Sequence, residues 1–71
     1  MKQSIIDELE VLTDLIWERR TTQSEVAKEV GVDRAYLSRV ITGHVIAGKA
    51  LAVAIEKWAG GKVSAAKLMG V

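Results

Sequence analysis

Arg34 and Arg39, five residues apart, are the side chains of this 71-residue chain best fitted to a chemical task. The donors of a guanidinium match the O6 and N7 edge of a guanine through two bonds. On a helix the two arginines stand about 140° apart, so both cannot point into the floor of one groove. Against a DNA groove, that spacing suits one to read a base and the other to grip a phosphate. Arg34, in the first helical turn, is assigned the base. Ala35 beside it offers a methyl group to a thymine methyl and lets the backbone come close. Asp33 is assigned to capping, because a carboxylate near phosphates is repelled. On an exposed helix without further context two arginines are ordinarily just solvated, so the elements that position them decide the matter.

Other chemistry finds little material. His44 is the one histidine and there is no cysteine, so neither a metal site nor a histidine-based triad is expected. His44 reads as a surface loop residue. Thr22 and Ser24 are helix caps before they are nucleophiles, and Gly60-Gly61 is a helix stop, not a phosphate-binding loop. Trp17 and Trp58 fall in amphipathic register and are expected in the core or an interface. No enzyme and no cofactor are expected. Hydrophobic residues make up 49% and charged residues 27%, a globular composition. No apolar run approaches a membrane span, and residues 1–10 do not read as a signal peptide. One domain over residues 1–71 is expected. The charge is divided: residues 1–18 hold one lysine against five carboxylates, and residues 19–71 hold nine Lys/Arg against four. The later segment therefore tolerates or favours anions.

Glycines and caps divide the chain into helices. Ile5, Leu9, Leu12 and Ile16 form the stripe of a first helix, about Ser4 to Arg20, with Ser4 as N-cap. Asp7 and Glu8 are placed near its positive end and Arg19 and Arg20 near its negative end. Ile6 and Trp17 on one side, Val11 and Leu15 on the other, widen its apolar surface. Thr22-Gln23-Ser24-Glu25 reads as a capping box opening a second helix to Val30, ended by Gly31. A third begins at Asp33, turns Leu37, Val40 and Ile41 inward and stops near Gly43. Two short helices around a glycine corner make a helix-turn-helix unit. A fourth helix spans about Gly48 to Ala59, with Leu51, Ala54, Ile55 and Trp58 as its stripe. Ser64 caps a last turn, Ala65 to Met69, unless Val63 begins a strand instead. The fold class is all-α, with four to five short helices.

The segment TTQSEVAKEVGVDRAYLSRVITG resembles the helix-turn-helix of the Cro and repressor families, the lambda-repressor-like regulators of phages and bacteria. Gln23, Ala27, Gly31, Val32, Leu37, Ser38, Val40 and Gly43 carry the match. GKALAVAIEKWAGGKVS is similar to a stretch of small Cro-like and YdaS-like proteins, so the likeness covers about residues 21–68. The resemblance implies that the third helix lies in the major groove, with Arg34, Ala35 and Arg39 against bases. It implies base or phosphate contacts for Tyr36 and Ser38, and phosphate contacts for Gln23 and neighbouring Thr22, and for Thr42 and His44. Members often carry basic residues and proline after the loop glycine. Here His44-Val45-Ile46-Ala47 follows, lacking those cations and apolar enough for a subunit contact.

The expectation is a phage- or prophage-derived regulator in the bacterial cytoplasm, at the nucleoid. It binds double-stranded DNA at a pseudo-palindromic operator as a homodimer. Its rival is an antitoxin-like or adaptor module whose partner is protein, suggested by the acidic, broadly apolar first helix. Two dimer surfaces are open: the first helix through Val11 and Leu15, or Val45-Ile46 with Trp58, Val63 and Leu68.

Overall fold

A computed structural model describes residues 3–71. Its five helices are α1 (Gln3–Glu18), α2 (Gln23–Val30), α3 (Arg34–Ile41), α4 (Lys49–Trp58) and α5 (Ala65–Leu68), and no strand occurs among the described residues. α1 packs on α3 and α5, α2 on α3 and α4, and α4 on α5. Leu12, Val26, Leu37, Val40, Ile55 and Leu68 meet in one buried cluster to which every helix contributes.

α1 departs most from expectation. Ser4 lies inside the helix and is not its N-cap; residues 1 and 2 lie outside the described residues. The first turn holds no acid, so Asp7 and Glu8 do not serve the positive end of the dipole. Glu8 is buried. Its Oε2 accepts the Ser64 N–H at 2.8 Å and its Oε1 stands 3.9 Å from Lys67 Nζ. Ile5, Leu9, Leu12 and Leu15 are buried and Ile16 is half-buried. Trp17 is 79% exposed, not core.

Arg19 and Arg20 follow α1 instead of ending it. Arg19 serves the negative end of a different helix: Nη1 donates to the Trp58 carbonyl at 2.6 Å, with the guanidinium 4.5 Å from the centre of the Trp58 ring. The Trp58 indole N–H donates to Glu29 Oε2 at 2.7 Å, so one tryptophan ties together the ends of α1, α2 and α4. Arg20 takes φ 51°, the left-handed conformation usual for glycine after a helix. Its N–H bonds to the Trp17 carbonyl and that of Thr21 to the Ile16 carbonyl, which closes the helix end. Arg20→Gly is therefore expected to raise stability by about 1 kcal/mol, measured by urea denaturation.

α4 buries Leu51, Ala52 and Ile55, with Ala59 just beyond it, while the expected Ala54 and Trp58 are only partly buried. A helix face is wider than a single stripe, and small Ala52 lets a neighbour approach. Val63 begins no strand; it is fully buried in the turn before α5. Ser64 caps α5, its Oγ accepting the Lys67 N–H at 3.3 Å. The Ala65 N–H goes to Glu56 Oε1 at 3.0 Å. With Glu8, two carboxylates satisfy backbone donors at the start of a helix too short to hold itself.

Candidate nucleic-acid interface

The corner between α2 and α3 fixes the site. Thr22 takes the extended conformation and its hydroxyl oxygen accepts the Glu25 N–H at 3.2 Å. Gly31 turns the chain at φ 78°, and the N–H groups of Gly31 and Val32 both reach the Ala27 carbonyl, at 2.9 and 3.0 Å. A left-handed residue is thus required there, although no atom lies within 4 Å of where a Cβ would stand. Asp33 occupies the N-cap position of α3 but makes no side-chain cap bond. The expected cap is formed only by its backbone, whose carbonyl accepts the Leu37 N–H at 3.1 Å. Thr22→Ala is accordingly expected to cost about 1 kcal/mol and Asp33→Ala less than about 0.5, read from paired thermal melts.

α3 buries Leu37 and Val40 against the α2 residues Val26 and Ala27, which holds its opposite face outward. By helical geometry Arg34, Ser38, Thr42, Ala35 and Arg39 follow one another around that face within about 140°. Arg34, Ala35, Arg39 and Thr42 are exposed and Ser38, next to Arg34 on the arc, is half-buried. The structure therefore brings together the residues expected at bases. Neither arginine has an ion-pair partner among the described residues, where Lys67–Glu8 is the one ion pair.

Tyr36 lies on the far side of the helix from Arg34, about 160° away, and about 60° beyond Arg39. It is half-buried, and its hydroxyl oxygen accepts the Gly48 N–H at 3.1 Å, which anchors the end of the loop after α3. Thr42 is also engaged. Its hydroxyl reaches the Ser38 carbonyl at 2.9 Å and the Arg39 carbonyl at 3.3 Å, and lies 3.2 Å from His44 Nδ1. One hydroxyl proton serves only one acceptor at a time, so a phosphate must compete with the backbone for it. His44 is exposed beside it, as expected of a loop residue. Gln23, half-buried, is the first residue of α2, where the leading backbone donors of a helix have no partner within it.

Two exposed basic residues beside these elements were not among the expected contacts. Lys49 is exposed at the first position of α4, a cation at the positive end of a helix dipole, where charge alone disfavours it. That signal is legible from the sequence. Arg20 adjoins the start of α2, and nothing in the sequence reveals its left-handed backbone.

The interface surfaces weighed for a dimer are reduced. Leu15, Val63 and Leu68 belong to the core and Trp58 is held by Arg19 and Glu29. Ile46, 56% exposed, is left on the loop side, and Val11 on α1.

A family model described as Helix-turn-helix matches residues 15–57, more than half of the chain, from the end of α1 to the end of α4. No curated protein and no solved structure matches.

Proposed function

Since the chain belongs to the Cro/C1-type helix-turn-helix family of DNA-binding regulators, we propose that it binds a pseudo-palindromic operator as a homodimer, with α3 of each copy in the major groove. The outward face of α3 carries this reading: Arg34, Ala35, Ser38 and Arg39 side by side on a helix whose other face is locked into the core. Arg34 pairs with a guanine, Ala35 meets a thymine methyl and Arg39 takes a phosphate or a second base. Ser38, beside Arg34 on the arc, hydrogen-bonds a base edge or phosphate. Gln23, with Thr22 before it, receives a phosphate at the positive end of α2. Arg20 and Lys49 supply cations that the loop after Gly43 lacks. His44 and Thr42 line the backbone beside that loop. Tyr36 acts by holding the loop in place, and its own proton is free for a phosphate oxygen. The protein acts without a cofactor at the bacterial nucleoid.

Enrichment of binders from random duplexes, followed by gel-shift titration, tests the reading. A recurring motif with two half-sites about one helical turn apart is the expected result. For each tenfold rise in salt, affinity should fall by nearly one logarithmic unit per neutralised phosphate. Binding without any sequence preference, or none at all, would sink it. The dimer has its own check. Ile46→Glu is expected to abolish cooperative occupancy of the two half-sites while leaving the circular dichroism spectrum unchanged. Cooperative binding by that variant would move the subunit contact away from the loop.

A further inference from the structure

The reading of α3 leaves α1 without an outward role, yet α1 is the most distinctive surface of the molecule. Its 16 residues contain five acids and no base. Glu8 is turned inward; Asp7, Glu10, Asp14 and Glu18 are exposed. Asp7 accepts a hydrogen bond from Gln3 Nε2 at 2.9 Å, and no cation pairs with any of the four among the described residues. Helical geometry sets them along one side of α1, beside Ile6 and Trp17. Ile6 is 36% exposed and Trp17 79%. A groove of about 400 Å³ opens between this face and the C-terminal end of α3. Ile6, Leu9 and Ile41 give it apolar walls and Glu10 and Asp14 give it charge.

DNA does not fit here, because phosphates are repelled by four carboxylates. A second copy does not fit either. Two-fold pairing of α1 on α1 sets carboxylates against carboxylates. Pairing of α1 with the basic face of α3 in another copy would cover Arg34 and Arg39, the side chains read above as meeting DNA.

We propose that this face is a docking site for a different protein, which presents a basic amphipathic helix. Its apolar stripe enters the groove against Ile6, Leu9 and Ile41, and Trp17 packs along it. Its lysines or arginines meet Asp7, Glu10, Asp14 and Glu18. An amphipathic helix in a groove is read at i, i+3, i+4 and i+7, and the carboxylates on α1 stand three or four residues apart. Tryptophan is among the residues that concentrate binding energy at such contacts. The groove lies at the end of α3 away from Arg34, and it meets the DNA-binding face at Thr42 and Gly43, which line its rim.

The test is a titration of the whole isotopically labelled chain, followed by nuclear magnetic resonance. The probe is a helical peptide as long as α1, with leucines on one face and lysines flanking them. A scrambled peptide of the same composition and a peptide with glutamate for lysine are the controls. Saturable binding of the probe alone is expected, with shifts centred on Ile6, Glu10, Thr13, Trp17 and Ile41. Glu10→Lys combined with Asp14→Lys should weaken it by about tenfold, and Ile6→Ser by about threefold. Arg34→Ala should leave it unchanged. If the lysine pair disturbs folding, the isosteric Glu10→Gln with Asp14→Asn serves, with a smaller loss. Equal binding of the scrambled peptide, shifts elsewhere, or indifference to both charge changes overturns the proposal. So does self-association of the chain that the Asp14 change abolishes, since the occupant would then be a second copy.

Discussion

Leu37→Ala is expected to leave the chain largely unfolded at room temperature. Leu37 is fully buried in the middle of α3 and packs within the cluster that includes Val26, Val40 and Ile55. Truncating such a leucine costs about 2–5 kcal/mol, because the cavity left behind collapses only in part. A domain of this size rarely holds more than about 3–5 kcal/mol in its core. One substitution therefore consumes most or all of the stability. It also loosens the wedge that sets α3 against α2, so the binding face goes with the fold. Loss of the helical circular dichroism signal, or a urea midpoint near zero, is the result to look for. A cooperative melt within a few degrees of the parent would show that the core tolerates the cavity. Ile46→Ser provides the contrast: Ile46 is exposed on a loop, and its truncation should shift stability by no more than about 0.5 kcal/mol.

Arg34→Ala should leave the melt unchanged and reduce affinity for the selected DNA site by about 1–3 kcal/mol, or roughly 5- to 150-fold. The side chain is exposed, it has no ion-pair partner among the described residues, and it opens the outward arc of α3. The loss should depend on sequence. The parent prefers one base pair at the Arg34 position and the variant should accept others there. Arg39→Ala should instead weaken all sites alike if Arg39 holds a phosphate, with the salt slope reduced by about one unit. Quantitative gel shifts over single-base variants of the site at two salt concentrations separate the two patterns. If Arg34→Ala alters neither affinity nor preference, α3 is not the reading helix.

The corner of the fold was legible because each of its local signals is short in range. Thr22 as a cap, Gly31 in the left-handed region and Leu37 and Val40 facing inward all follow from spacing within 21 residues. The fate of α1 was not legible. Periodicity marked Leu15 and Trp17 as flanking apolar residues, but only tertiary packing decides that Leu15 is buried and Trp17 is not. Glu8 read as a dipole partner because its real partner, the Ser64 N–H, lies 56 residues away. Asp33 has the residue type of a cap without its side-chain bond. At the candidate site, side-chain type singled out Arg34, Ala35 and Arg39 as candidates, and the structure sets them on one exposed face. The hydrogen bonds that occupy Tyr36 and Thr42 depend on where Gly48 and the end of α3 come to rest. A resemblance in sequence does not contain those placements.

The bond from Ser64 to Glu8 also bears on the order of folding. α2, the corner and α3 assemble through neighbours in sequence, and such contacts form quickly. Docking α5 on α1 instead closes a loop across most of the chain, at an entropic cost on the order of 3–4 kcal/mol. A four-residue helix has no stability of its own to set against that cost. The last segment therefore arrives after the rest and leaves before it. In native-state hydrogen exchange, amides from Ser64 onward should open at lower free energy than those of Val26 or Val40. The half of the molecule that carries Arg34 persists through those openings, and the half that seals the core is the one that breathes.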